Sequence, residues 1–209
     1  MRYTMTEENE TQTTSRREQL LDAAVEYAAT HGIGDLSLRQ FAAALGTSHR
    51  MLVYHFGSKE GLLVAVVRAV EARQRAFLAE LGDGGGLSPA EQGRRLWERL
   101  ADPAMWPYEK LFFEVYSQAL RGRPHTVDLL DGIVESWLDP VADLARDGVP
   151  PGTARAAARL GVAVTRGLLL DLLATGDRAA CDAALEQYIR MGEAYLGERE
   201  SAGQSQART

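Results

Sequence analysis

The segment that decides the fold is SLRQFAAALGTSHRMLVYHFGSKEGLL, residues 37–63. Ser37 stands three residues before Gln40, a capping-box spacing that opens a helix, and Gly46 ends that helix. After the short connection at residues 46–48, the stretch HRMLVYHF predicts a second helix. The helical spacing places three apolar residues on its buried side, namely Leu52, Val53 and Phe56. The segment therefore predicts two short helices joined by a tight turn that contains glycine.

A further helix precedes this pair. From Ser15 onwards, apolar and alanine residues recur at helical spacing until Gly32, which is a helix stop. The predicted buried stripe consists of Leu20, Leu21, Ala24, Tyr27 and Ala28. Three such helices, with a tight turn between the last two, form the helix-turn-helix pattern with one supporting helix in front.

The same residues resemble a known family. The run REQLLDAAVEYAATHGIGDLSLRQFAAALGTSHRMLVYHFGSKEGLLVAVV, residues 17–67, is similar to the N-terminal domain of the TetR family over nearly its whole length. The features that carry the resemblance are the Ala-rich first helix, the SLRQFA start of the second, the AxxLGTS turn and the YHFGSKEGLL run. The resemblance covers about the first third of the chain. It implies a homodimeric DNA-binding regulator, a repressor by default, that a small molecule releases from a palindromic operator.

The helix-turn-helix geometry offers the first residues of the second helix to base edges in the major groove. Arg50 can donate two hydrogen bonds to the O6 and N7 atoms of guanine, or it can be an ordinary solvated charge. For His49, base contact and simple exposure at the helix start are equally good interpretations. Thr47 and Ser48 can donate to phosphates, cap the helix, or do both.

Family positions supply the remaining candidates for DNA contact. Arg39 and Lys59 resemble residues that clamp the DNA backbone on either side of the recognition helix. One position departs from the family, because Val53 stands where an aromatic residue, most often a tyrosine that reaches a phosphate, is usual; the neighbouring Tyr54 could supply a hydroxyl instead. The predicted DNA-binding set is Ser37, Arg39, Thr47, Ser48, His49, Arg50, Tyr54, His55 and Lys59.

Composition limits the other classes of function. The chain has 209 residues, 45% of them apolar, and a formal net charge of −6, which argues against a protein that coats nucleic acid with its whole surface. Between Gly46 and Lys59, however, there is no acidic residue. The single cysteine, Cys181, and the polar N-terminus without a secretion signal predict a cytoplasmic location and no membrane span. We find no enzyme motif or metal-ligand spacing, so we expect no catalysis, no metal and no cofactor.

The periodicity predicts an all-α protein of about nine helices. We expect a disordered leader at residues 1–14, the helix-turn-helix domain at 15–60, a helical ligand-binding and dimerisation domain at 61–198, and a disordered tail at 199–209. A single helix is expected over residues 126–147, split or kinked at Pro140.

The last two predicted helices carry many small residues, which allow helices to approach closely. These are Ala156, Ala157, Gly161, Ala163, Gly167, Ala180, Ala183 and Ala184. In the resembling family the last two helices pair with those of a second copy across a two-fold axis. Packing inside one chain is the alternative explanation for the same stripes.

Aromatic residues concentrate in the middle of the chain, where they could line a ligand cavity or fill a core. The predicted pocket residues are Trp97, Met105, Trp106, Tyr108, Phe112, Phe113, Tyr116 and Trp137. Arg166 and Asp171 are polar groups that could hold a ligand, form a pair within the chain or make a dimer contact, and their spacing does not choose between these. The ligand itself is not identified by the sequence. A helical dimeric adaptor or small-molecule-binding protein without specific DNA binding is the alternative function, and the Val53 departure gives it some support.

Overall fold

The computed structural model describes residues 4–31, 36–83, 86–144 and 149–206, which contain α-helices and 3₁₀ helices but no strand. The α-helices are α1 (Thr4–His31), α2 (Leu38–Ala44), α3 (His49–Phe56), α4 (Lys59–Asp83), α5 (Pro89–Leu100), α6 (Trp106–Leu120), α7 (Glu135–Ala142), α8 (Pro151–Thr175) and α9 (Arg178–Gln206). Short 3₁₀ helices at Pro103–Met105 and Val127–Leu130 flank α6. The all-α prediction of about nine helices is confirmed. None of the described helices is both long and apolar enough to cross a membrane.

The chain forms two compact units, and the first consists of Met1–Gln74 and Pro103–Ile133. All four of its N-terminal helices contribute buried apolar side chains, and the ring of Tyr27 in α1 meets that of Phe41 in α2 edge to face at 5.4 Å between centroids. The buried apolar residues are Leu20, Ala24, Val25 and Ala28 of α1, Phe41 and Ala42 of α2, Leu52 and Phe56 of α3, and Leu62, Leu63, Val64, Val66, Val67 and Val70 of α4.

Helix α6 completes the first unit by packing against α1 and against the second 3₁₀ helix. The segment after α6 is also tied to α4 by polar contacts. The Arg123 guanidinium donates to the Glu60 carboxylate at 2.8 Å, and Arg68 donates to the backbone carbonyl of Asp128. Within that segment, the buried Thr126 hydroxyl donates to the carbonyl of Arg123 at 2.7 Å.

The second unit consists of Arg75–Asp102 and Val134–Thr209. In it, α7 packs on α8, and both α8 and α5 pack on α9. Leu78, Trp137 and Val162 form a buried cluster. Gly161 lies where α8 meets α9, and a β-carbon there would stand 3.2 Å from the Tyr188 hydroxyl, so an alanine would fit only if the Tyr188 side chain shifted slightly.

Two helix ends differ from the sequence prediction. α1 begins at Thr4 instead of near Ser15, and α9 continues to Gln206, into the segment expected to be a disordered tail. Residues 4–14 contain neither proline nor glycine, so the sequence supplies no signal that would stop a helix there. The sequence also predicts a turn at Gly34 and Asp35, and these residues, like the predicted helix stop Gly32, lie outside the described part of the chain.

The expectation of one helix over residues 126–147 is wrong. A 3₁₀ helix ends at Leu130, and α7 begins only at Glu135. The break lies at Gly132, whose φ of +70° belongs to the left-handed region that glycine adopts without strain. Pro140, where the break was expected, lies inside α7. The glycine therefore interrupts the helical pattern, and α7 tolerates the proline.

Candidate nucleic-acid interface

The first half of the interface is α2, which starts with a complete capping box. The backbone N–H of Gln40 donates to Ser37 Oγ at 3.3 Å, and the backbone N–H of Ser37 donates to Gln40 Oε1 at 2.9 Å. This confirms the predicted cap. The Ser37 hydroxyl is therefore used in a hydrogen bond within the chain. Arg39, two residues further on, is exposed in the first turn of α2.

Replacing Ser37 by alanine should lower the free energy that protects α2 from local opening by about 1 kcal/mol, because the cap oxygen is lost. Hydrogen exchange of the α2 amides measures this. The matched control is Ser88→Ala, which removes the equivalent capping box at the start of α5; it should weaken protection of α5 and leave α2 unchanged. Unchanged exchange in α2 of the Ser37→Ala variant would contradict the structural role of this cap.

The turn between α2 and α3 places the start of α3, the predicted recognition helix. Gly46 has a φ of +63°, and the Thr47 N–H donates to the carbonyl of Ala42 at 2.9 Å. Ser48 is the N-cap of α3, where its Oγ accepts from the backbone N–H of Met51 at 3.2 Å. The capping role of Ser48 is thus present, and its exposure leaves the end of the helix open to an anion.

One residue of α3 lies on a different side of the helix from the side predicted for it. Leu52 is fully buried and Phe56 nearly so, but Val53 is 39% exposed and Tyr54 68% exposed. The assignment of Val53 to the buried side is wrong, because each residue turns the helix by about 100° and Leu52 already points at the core. Val53 and Tyr54 therefore belong to the exposed side of α3, as do His49 and Arg50.

His55 is set apart from the other predicted DNA-contact residues because it is half-buried. Its ring packs edge to face on Tyr54, with centroids 4.9 Å apart, and its Nε2 has no hydrogen-bond partner among the described residues. Burial lowers the pKa of His55, and the positive charges of Arg17 and Arg16 lower it further. At neutral pH this imidazole is uncharged, so it adds no positive charge to the interface.

One further residue at this interface lies outside the predicted DNA-binding set, although the sequence leaves the pair Arg16 and Arg17 open to two interpretations, an N-terminal arm that contacts DNA or a merely solvated pair of charges. The Arg17 guanidinium of α1 lies 5.2 Å from the centroid of the Phe56 ring, at the end of α3. This brings a positive charge from α1 to the recognition helix.

The predicted ligand-pocket residues are divided between the two units. Trp97 and Trp137 are buried in the second unit, where Trp97 Nε1 donates to the Asp182 carboxylate at 2.6 Å. Asp171 is exposed, with its carboxylate 3.8 Å from Cys181 Sγ. Of the predicted pocket residues, the second unit therefore holds Trp97, Trp137, Asp171 and Arg166. The first unit holds the others, which are Met105, Trp106, Tyr108, Phe112, Phe113 and Tyr116.

A pocket in the first unit is lined by only two of these predicted residues, Tyr108 and Phe112. The rest of its wall comes from α4 and α6, namely Val66, Val67, Val70, Glu71, Gln74, Glu109 and Leu111. Sequence reasoning missed its polar members. The signal was present, since Glu71 lies four residues after Val67 and Gln74 four after Val70, on the apolar stripe of α4.

Comparison with known proteins supports this architecture. Residues 20–66 match the family model for bacterial regulatory proteins of the tetR family. The HTH-type transcriptional repressor AcnR of Corynebacterium glutamicum is 31% identical over 111 residues, which are 53% of this chain and 54% of that protein. The chain thus spans about half the length of the curated relatives it matches.

Two solved structures extend the similarity to most of the chain. The multidrug binding protein EbrR, complexed with imidazole, is 27% identical with a TM-score of 0.60, covering 84% of this chain and 89% of that one. A TetR-family member from Streptomyces coelicolor, SCO1917, is 28% identical with a TM-score of 0.59, covering 84% and 96%. With the helix-turn-helix segment matched in sequence and most of the chain matched in structure, residues 20–66 are identified as the domain shared by bacterial regulatory proteins of the tetR family.

Proposed function

We propose that this protein is a DNA-binding transcriptional repressor that a small-molecule ligand releases from a palindromic operator. The observation that carries the proposal is the exposed side of α3, which presents His49, Arg50 and Tyr54 and has no acidic residue within the helix. The repressor names of the AcnR relatives and the imidazole complex of EbrR support the repressor and ligand parts of the proposal.

On DNA, α3 enters the major groove with its N-terminal end first. Arg50 donates to a guanine edge, and His49 contacts a neighbouring base. The turn residues Thr47 and Ser48 and the exposed Tyr54 hydroxyl contact phosphates, while Arg39 and Lys59 hold the backbone on either side. Ser37 acts through the cap that positions Arg39, and the neutral His55 supports the ring of Tyr54.

We further propose that the protein is a homodimer formed by α8 and α9. These helices leave an apolar surface exposed, which we call the α8–α9 face: Leu160, Ala163, Gly167, Leu170 and Ala174 of α8, and Ala180, Ala183, Ala184, Met191 and Tyr195 of α9. Large apolar side chains on one exposed face mark an interface. A two-fold dimer would also match the two halves of a palindromic operator.

The functional division that we propose is residues 15–60 for DNA contact and 61–198 for ligand binding and dimerisation. We also propose that the regulator is cytoplasmic, because its target DNA lies in the cytoplasm, and that it has no catalytic role. The single cysteine, Cys181, is in keeping with the absence of a catalytic role. It is buried, and burial raises the pKa of its thiol, which leaves the thiol unreactive.

Arg50→Ala tests the DNA-binding proposal. The change should weaken operator binding by about 1–3 kcal/mol for each half-site, because a forked base contact is lost. The measurement is fluorescence anisotropy across a salt series, with DNA from upstream of the gene beside a scrambled duplex of equal composition. Because Arg50 reads bases, binding to the scrambled duplex should change far less.

The control is Arg95→Ala, which removes one exposed charge from α5 and should leave both affinities unchanged. Wild-type binding that is weak and indifferent to sequence, at this and other candidate operators, would contradict the repressor proposal. It would favour instead the helical adaptor without specific DNA binding.

A further inference from the structure

The segment that follows α6, residues 121–130, is attached to the first half of α4 at two points, and we call it the clamp segment. The Arg123 guanidinium donates to the Glu60 carboxylate at 2.8 Å, and the Arg68 guanidinium donates to the backbone carbonyl of Asp128. Glu60 and Arg68 are eight residues apart in α4, which is about 12 Å along the helix axis. Two contacts at this separation fix the direction of the helix as well as its position.

The backbone of the clamp segment is itself held in place. The backbone N–H and the hydroxyl of Thr126 both donate to the carbonyl of Arg123, at 3.2 and 2.7 Å. Thr126 and Leu129 are fully buried. Gly122 and His125 have φ values of +72° and +65°. A left-handed conformation at a residue other than glycine costs free energy and persists where the surrounding structure determines it. The Arg123 side chain therefore reaches α4 from a fixed point.

The contact between Arg123 and Glu60 is an ion pair. The hydrogen bond from the guanidinium lowers the pKa of the Glu60 carboxyl, and a backbone hydrogen bond at Glu60 itself lowers it further. A glutamate ionises well below pH 7 even without such help, so Glu60 carries its charge at neutral pH. The pair therefore joins two full charges, one on α4 and one on the clamp segment.

The start of α4 is tightly joined to the end of α3. Only Gly57 and Ser58 separate the two helices, and Ser58 Oγ accepts from the backbone N–H of Gly61 at 3.0 Å. A β-carbon at Gly61 would collide with the carbonyl oxygen of Phe56, so the first turn of α4 lies directly on the last turn of α3. Because the connection is short and the contact is backbone to backbone, fixing the start of α4 also fixes the orientation of α3.

We propose that the clamp segment preorganises α3 for operator DNA and that Arg123 is a positioning residue, which acts on α3 through Glu60 and the start of α4. The inference rests on the proposed function, because it concerns how tightly the regulator binds its operator. It gives a segment outside the helix-turn-helix domain a role in DNA binding without a contact to DNA. The physical reason is that apparent affinity falls in proportion to the fraction of molecules in the binding-competent conformation.

A double-mutant cycle in operator binding tests the role of the pair. Fluorescence anisotropy at one fixed salt concentration compares the wild type with Arg123→Gln, Glu60→Gln and the double variant. Arg123→Gln should weaken operator binding about twofold to fivefold for each half-site, the range that a partly exposed ion pair contributes. In the Glu60→Gln background, the same substitution should have little further effect, because its partner is already gone. An equal loss in both backgrounds would show that Arg123 acts independently of Glu60 and would overturn the proposal.

The matched control is Arg121→Gln. It removes the same charge from the same segment, but the Arg121 guanidinium donates to Ser117 Oγ of α6, at 2.7 Å. Both arginines are exposed, so both variants should fold. Arg121→Gln should leave operator affinity unchanged. If it weakened binding as much as Arg123→Gln, the positive charge of the segment would be acting on DNA directly, and the positioning role would be wrong.

Hydrogen exchange without DNA gives a second, independent test. In Arg123→Gln, the amides of α3 and of the first two turns of α4 should exchange faster than in the wild type, again about twofold to fivefold, while those of α9 should not change. Unchanged exchange in α3 would contradict the clamp. Because this measurement needs no operator, it decides the clamp even if the wild type binds no operator, an outcome that would contradict the repressor proposal alone.

Discussion

Leu170→Asp should convert the protein from a dimer into a monomer. Leu170 is 53% exposed and lies on the α8–α9 face, so in the proposed dimer each copy would bury one new carboxylate at the interface. Burying an unpaired charge costs several kcal/mol, which should raise the dimer dissociation constant by about a hundredfold or more. Sedimentation velocity over a range of protein concentrations measures the change.

The same variant should lose specific operator binding. A monomer presents one recognition helix to one half-site, and its affinity should fall towards the nonspecific level, about a thousandfold or more below that of the dimer. Leu120→Asp is the matched control, because Leu120 is an even more exposed leucine, at 64%, and lies on α6 in the first unit. A Leu170→Asp protein that remains dimeric at micromolar concentration would show that the dimer uses another surface.

The helices around the predicted DNA-contact residues were predictable because their ends are specified locally. Ser37 with Gln40, the glycine at position 46 and Ser48 each determine a cap or a turn from within a few residues. Such signals do not depend on the rest of the fold. The helix break at Gly132 was not predicted, because the apolar periodicity continues through Gly132 and Pro140 is a more obvious place for a helix to end.

The pocket was less predictable, because tertiary packing decides which side chains meet. The sequence shows a run of aromatic residues, but it does not show that Trp97 and Trp137 lie in one unit and Tyr108 in the other. The polar members of the pocket were missed for a related reason. A glutamate on a helix is usually solvated, and only the packing of α4 against its neighbours makes Glu71 a buried group.

The orientation of α3 is tested by the other large effect that we expect. Leu52→Ala should reduce the free energy of unfolding by about 2–5 kcal/mol, since it leaves a cavity in the core of the DNA-binding helices. Leu52 is fully buried. Thermal unfolding followed by circular dichroism, together with hydrogen exchange of the α3 amides, measures the loss.

The neighbouring Val53→Ala is the control and should cost about 0.5 kcal/mol or less, because the side chain is partly exposed. The comparison bears on function as well as on stability. If Val53→Ala were as damaging as Leu52→Ala, α3 would be turned so that Val53 faces the core, as its apolar spacing suggested. Arg50, three residues earlier on the same side of the helix, would then turn inward with it, and the assignment of base reading to Arg50 would fail.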